Sequence, residues 1–158
     1  HTGAFLPKDL ALLRKQALAN PREAGSALRR LRDLRECVHD LVAALARHRR
    51  PDNAVVAKLE SHWKAATGAA RLQPPPTPQP DWSAMGSGLD LLRHVAAWHA
   101  VAFLDSGALP RTRVCDGHDC GWLFVDLSKG GRRRWCDMRT CGNVAKARRH
   151  QHRRQSSS

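Results

Sequence analysis

The apolar positions of residues 21–50 recur every three or four places. Leu28, Leu31, Leu34, Val38, Leu41, Val42 and Leu45 fall on one stripe, with Arg29, Arg30, Arg32, Asp33 and Glu36 off it. That period predicts an amphipathic α-helix with one buried face. Its start is marked by Asn20 as N-cap, Pro21 at the first helical position and Glu23 at the capping-box offset. A shorter helix precedes it in LPKDLALLRKQALANP, opened by Pro7 and stopped at Asn20-Pro21. Pro51 is expected to end the long helix and open a third, which runs to about Thr67, stops at Gly68 and buries Val55, Val56, Leu59 and Trp63.

A fourth helix, GLDLLRHVAAWHAVAFLDSG, is capped by Ser87, ends at Gly107 and is apolar nearly all round. It is expected at the centre of a helical bundle. His94 and His99 on it are read as packed, hydrogen-bonded histidines, and Cys37 as a small core residue.

Between the third and fourth helices the period breaks. QPPPTPQP can be neither helix nor central strand and reads as a stiff polyproline-type connector, with a PxxP ligand as its functional alternative. Past residue 110 the pattern changes to short segments: GWLFVD as a strand, SKGG as a turn, RRRWC as the returning strand, then a helix from Gly142 with Asn143 as its cap. The expected fold is mainly α. Residues 1–73 form an N-terminal helical region, 74–82 the Pro-rich connector, and 83–110 a long helix completing that domain. Residues 111–154 form a small separate module, and 155–158 a disordered tail.

Charge sharpens the second module. The 158-residue chain has a formal net charge of +13. Residues 111–154 carry twelve Lys and Arg against four Asp, so they hold +8 of it. Charge clustered this way points to a polyanion and not to an evenly solvated surface. No apolar run approaches the length of ~18 residues a membrane span needs. A chain beginning at His1 is read as starting inside something longer, or as a processed fragment, with no signal peptide.

The same module holds four of the five cysteines, spaced Cys115-x4-Cys120-x15-Cys136-x4-Cys141. Two short pairs separated by a hairpin-length insert suit tetrahedral Zn²⁺: each pair supplies two thiolates and the insert brings the pairs together. Within the first pair, DGHD is turn chemistry, with Gly117 free to take positive φ. Two disulfides or an iron–sulfur cluster are the alternatives, and His118 is a substitute ligand. Clustered cysteines plus an unpaired one fit a reducing cytoplasm. Four sulfurs close the coordination shell, so the metal is expected to be structural. Some forty residues cannot bury a sufficient core. Zinc binding, worth about 10–16 kcal/mol apparent in comparable peptides, would supply the missing stability. Knuckle, hairpin and a helix carrying the last ligand together describe a treble-clef arrangement.

At CGWLFVD, RRRWCDM and TCGN, followed by a basic helix, the chain resembles the CGNR zinc-finger family over residues 111–154. The upstream helices resemble, more loosely, the ABATE-type domain that precedes such fingers. That domain's usual opening, an Asn-Thr pair after a strand, is absent. The resemblance implies a bacterial transcription regulator whose finger binds DNA. One position departs from the motif: Val144 stands where the family has its name-giving arginine, which moves the expected phosphate contact to Arg139 or Lys146.

From the charge itself, Lys146, Arg149, His150 and Arg153 share one helical face, with Arg148 to the side. Arg132, Arg133, Arg134 and Arg139 could extend the footprint. The functional expectation is a zinc-dependent nucleic-acid-binding protein that meets double-stranded DNA, with the helical domain sensing a ligand or forming a homodimer. A protein-interaction module is the rival reading. RNA is less favoured, because stacking aromatics are few. No nucleophile–base pair, paired carboxylates or open metal site suggests an enzyme.

Overall fold

In a computed structural model the chain is described over residues 7–73 and 80–155. Six helices dominate: α1 (Pro7–Ala19), α2 (Pro21–Ala46), α3 (Asn53–Ala69), the single turn α4 (Ala84–Ser87), α5 (Leu91–Leu104) and α6 (Asn143–Gln155). Two minimal antiparallel pairs accompany them, β1 (Arg71–Leu72) with β2 (Pro80–Asp81), and β3 (Thr112–Val114) with β4 (Leu123–Val125). The chain divides into two compact units, residues 1–38 with 52–104, and residues 39–51 with 105–158.

In the first unit the start of α2 is as the sequence dictates: Glu23 N–H donates to the Asn20 side chain at 3.2 Å. α3 differs at both ends. Its N-cap is Asp52, whose carboxylate accepts from Ala54 N–H at 2.8 Å, so Pro51 lies outside the helix. Gly68 is inside α3, which continues to Ala69, because the Thr67 hydroxyl donates to the carbonyls of Trp63 and Lys64 and steadies the last turn. The buried face of α3 is Leu59, His62 and Ala66, with Val56 45% exposed. The stripe is shifted because a polar residue, His62, is the one drawn inward.

The expected single fourth helix is broken. α4 is followed by a 3₁₀ turn, Gly88–Asp90, in which Gly88 adopts φ +54°, and only then does α5 begin. Ser87 caps neither element; its hydroxyl accepts from His94 instead. α5 packs most extensively against α3. Leu13, Leu91 and Val95 form the apolar centre, flanked by Leu12, Trp82, Leu89 and Leu92. Trp82 donates to the Ala66 carbonyl at 2.7 Å, and its ring lies 5.6 Å from that of Trp98.

A polar network runs through this interior. Arg93, buried on α5, donates to Asp90 (3.0 Å), to His62 Nδ1 (3.3 Å) and to His94 Nε2 (3.1 Å). A guanidinium only donates, so both imidazoles accept on those nitrogens and carry their protons on the others. Those protons go to Asp33 from His62 Nε2 (3.2 Å) and to Ser87 from His94 Nδ1 (3.2 Å). Burial pushes the Asp90 carboxyl up, but Arg93 and Arg30 outweigh it and hold it below the usual range. His94 is thus the satisfied core histidine expected, whereas His99 is exposed. Cys37 is buried and donates to the Val55 carbonyl at 3.2 Å.

Residues 74–79 of the Pro-rich connector lie outside the described residues. Its flanks pair as Arg71 with Asp81 and Leu72 with Pro80, so both ends of the connector sit in the first unit. At the other terminus Gln155 is the last residue of α6 and not part of a tail; residues 156–158 lie outside the described residues. No helix among the described residues is long and apolar enough to cross a membrane.

Candidate functional site

The second unit begins with the end of α2 and continues through a 3₁₀ turn, Leu109–Arg111, into the β3–β4 hairpin. This hairpin is not the expected one. β4 pairs backwards with Thr112–Val114, and residues 132–136 form no strand. The reason is local chemistry after β4. Asp126, 1% exposed, accepts from Ser128 N–H (2.9 Å), the Ser128 hydroxyl (2.6 Å) and Arg133 N–H (2.9 Å). These three donors hold its carboxyl down at about 2. Arg133 then turns its guanidinium onto the carbonyls of Trp135 and Cys136. Bonds that a returning strand would use are spent on side chains, and one backbone bond remains, Asp116 N–H to the Arg134 carbonyl at 2.9 Å.

The hairpin loop carries the first cysteine pair. Cys115 follows β3 and its N–H donates to the Trp122 carbonyl at 2.8 Å, while Cys120 N–H donates to Gly117 O at 3.2 Å. Positive φ in this loop falls on Asp119 (+56°) and Gly121 (+63°), not on Gly117. Gly117 is needed for a different reason: a Cβ there would lie 2.8 Å from Cys141 Sγ and 3.2 Å from Cys120 Cβ. The second pair sits on an irregular turn. Asp137 accepts from Arg139 N–H at 2.6 Å and opens a wide π-type turn, Met138–Gly142, which carries Cys141 and runs directly into α6. Asn143 is therefore already helical and donates back to Arg139 O at 3.3 Å; Asp137, not Asn143, is the cap.

The four cysteine sulfurs converge to within 4.8 Å of one another. The Cys120–Cys136 and Cys136–Cys141 separations are both 3.7 Å. Sulfurs about 2.3 Å from a tetrahedral zinc would stand about 3.8 Å apart, so the observed spacing fits that ion. It does not fit a disulfide, whose sulfurs approach to about 2.05 Å. All four cysteines are free.

The protonation chemistry agrees. Burial raises the Cys115 thiol, but amide donors from Cys136 and Gly117 outweigh it and bring it to about 7. Burial pushes Cys136 up to about 12, and the hydrogen bond with Cys120 raises Cys141. The pocket thus favours one thiolate and resists further negative charge until a divalent cation compensates it. One structural zinc is held here by Cys115, Cys120, Cys136 and Cys141. His118 stays outside, exposed and paired with Asp119.

The basic residues separate into two groups. Lys146, Arg149, His150 and Arg153 line one concavity of about 290 Å³ on α6, a helix without a single acidic residue. Arg148 is exposed on the same helix. The hairpin-side arginines are mostly committed. Arg133 lies 4.9 Å over the Phe124 ring, and Arg134 pairs with Asp116 at 2.8 Å and sits 5.4 Å over Trp135. Arg139 is paired loosely with Asp137 at 3.7 Å, and Arg132 is exposed. Arg149 also lies 5.9 Å over Trp135, which ties α6 to the loop carrying Cys136. His39, from the end of α2, reaches the Gly121 carbonyl at 2.9 Å within this unit.

Asp126, Arg111 and Asp137 were not singled out by the sequence, although each organises the site. Arg111 donates to the Asp126 and Ser128 carbonyls at 2.9 and 3.0 Å. The Asp126-Leu127-Ser128 spacing is itself an Asx-turn signal that could have exposed the first of them.

The family model of the CGNR zinc finger matches residues 111–154, and that of the ABATE domain, described as "Putative stress-induced transcription regulator", matches residues 7–107. The chain belongs to the ABATE family. No curated protein matches it. The ABATE match ends at residue 107, close to where the chain passes from the first compact unit back into the second, at Leu104–Asp105. The finger carries all four metal-ligating cysteines.

Proposed function

We propose that this ABATE chain is a transcription regulator that binds double-stranded DNA through α6, in a cytoplasmic setting, with zinc fixing the helix and the helical unit sensing a ligand or self-associating. The observation that carries the reading is the alignment of Lys146, Arg149, His150 and Arg153 along one concave face. The helix bearing them is clamped at its start by Cys141. A rigid rod of unopposed cations meets a phosphate backbone at low entropic cost, and base readout would then need an arginine to reach a guanine edge. Hairpin, wide turn and ligand-bearing helix support the treble-clef description. A sulfur-closed ion offers no open coordination position, so the zinc is assigned a structural role and no catalytic activity is proposed.

A second reading, docking to an acidic protein, is favoured by Trp122 and Leu127, which are 70% and 78% exposed on the finger. Mobility shifts of the zinc-loaded chain on duplex DNA, RNA and an acidic protein, repeated after chelation, separate the two. DNA binding that vanishes with the metal supports the first reading; negligible DNA affinity at low salt, with tight capture of the acidic protein, supports the second.

A further inference from the structure

Two adjoining apolar grooves flank Leu28 and Leu31 on α2. The larger, about 580 Å³, runs between α2 and α5 and is floored by Leu31, Leu34, Val38, Ala96 and Ala100. The smaller, about 250 Å³, continues on the other side of the same two leucines toward α1, past Leu13 and Leu92. Leu28, on the helix stripe that the sequence assigns to the core, is left 46% exposed. The stripe is therefore longer than the packing that covers it.

The charges around these grooves all have one sign. Arg32, Arg35 and His99 edge the larger groove and Arg14 the smaller, and no carboxylate lines either. Arg35 is engaged by Glu36, whereas Arg32 makes no ion pair or hydrogen bond among the described residues. An apolar trough with an unopposed guanidinium at its edge complements a molecule with a hydrocarbon body and one anionic head. A second copy of the chain is a poor occupant. A two-fold interface on this face would bring Arg32 and Arg35 against their own equivalents in a chain already carrying +13.

We propose that the α2–α5 groove binds a small amphipathic carboxylate, its apolar body along Leu31, Leu34, Val38 and Ala96 and its head group on Arg32. This deepens the sensing role proposed for the helical unit and names the chemical class sensed.

The probe is dodecanoate, titrated below its micelle limit into the full zinc-loaded chain by calorimetry, beside dodecyltrimethylammonium as the tail-matched cation. The expected result is one site for the carboxylate and at least tenfold weaker binding of the cation. Ala96→Trp, which fills the groove from an exposed position, is expected to weaken dodecanoate at least tenfold, and Arg32→Glu likewise. If either variant fails to give the parent melting curve, the other decides. Equal binding of both amphiphiles, multiple sites indifferent to Ala96→Trp, or a dimer in light scattering that Ala96→Trp dissociates would overturn the proposal. The titration uses no nucleic acid. Failure of DNA binding therefore leaves this result readable, and DNA affinity of Ala96→Trp equal to the parent leaves the finger reading standing if the groove fails.

Discussion

A methyl group at position 117 would land 2.8 Å from the sulfur of Cys141 and 3.0 Å from its Cβ. Neither atom is the free end of a flexible chain, because both belong to a residue committed to the metal. Gly117→Ala is therefore expected to push one ligand out of place and weaken zinc binding by roughly 10- to 100-fold, the range for disturbed ligand support. Competition against a chromophoric chelator measures this, and unchanged affinity would show that the loop yields without strain. The glycine itself is visible in the sequence as a turn residue, but its role is not. Positive φ is a local property that a sequence can suggest; a close approach to Cys141, twenty-four positions on, is not. The same divide holds elsewhere. The four cysteines announce themselves by spacing, whereas Asp126 resembles any other loop aspartate until its three donors are seen.

Among the elements, the helices follow from the 3.6 period and their caps, and α2 is the clearest case because its cap, proline and stripe all agree. The misread elements are those where a side chain competes with the backbone. His62 displaces a valine from the buried face of α3, and Arg133 dissolves the strand expected at RRRWC. Two outcomes belong at this scale. Cys136→Ser is expected to lose the metal and unfold the β3–β4 hairpin with α6, while the helical unit keeps its own melting transition; stoichiometric zinc in that variant would refute the ligand set. The helical unit should in turn be acid-sensitive through His94. Burial first, and then Arg93, lower its pKa below 6.5, against the weaker opposing pull of Asp90. Its neutral form is the one that accepts from Arg93. The unfolded chain takes up the proton more readily, so stability is full above about pH 6.5 and falls as pH drops below it. A melting temperature for the helical unit that is flat between pH 7 and 5 in the parent, or that falls equally in His94→Gln, would remove His94 as the cause.

For the whole molecule the question is what the clustered charge does, and salt answers it. If α6 lies along a phosphate backbone, each cation that touches a phosphate releases about 0.9 of a counterion on B-DNA. The affinity of the parent should then fall steeply and linearly on a log–log plot against salt. Replacing Arg149 and Arg153 with alanine removes two of the four residues lining the α6 concavity, and is expected to weaken binding and flatten that slope by roughly 2. Arg149 also sits over Trp135, so a loss of affinity alone could reflect a loosened finger. The slope separates the cases. A loosened but still cationic surface keeps its counterion count, while a surface stripped of two phosphate contacts does not. Zinc content measured on the same samples completes the test: full zinc with a flattened slope places the contact on this face of α6, and full zinc with the parent slope moves it to the hairpin, where Arg132 and Arg139 remain exposed.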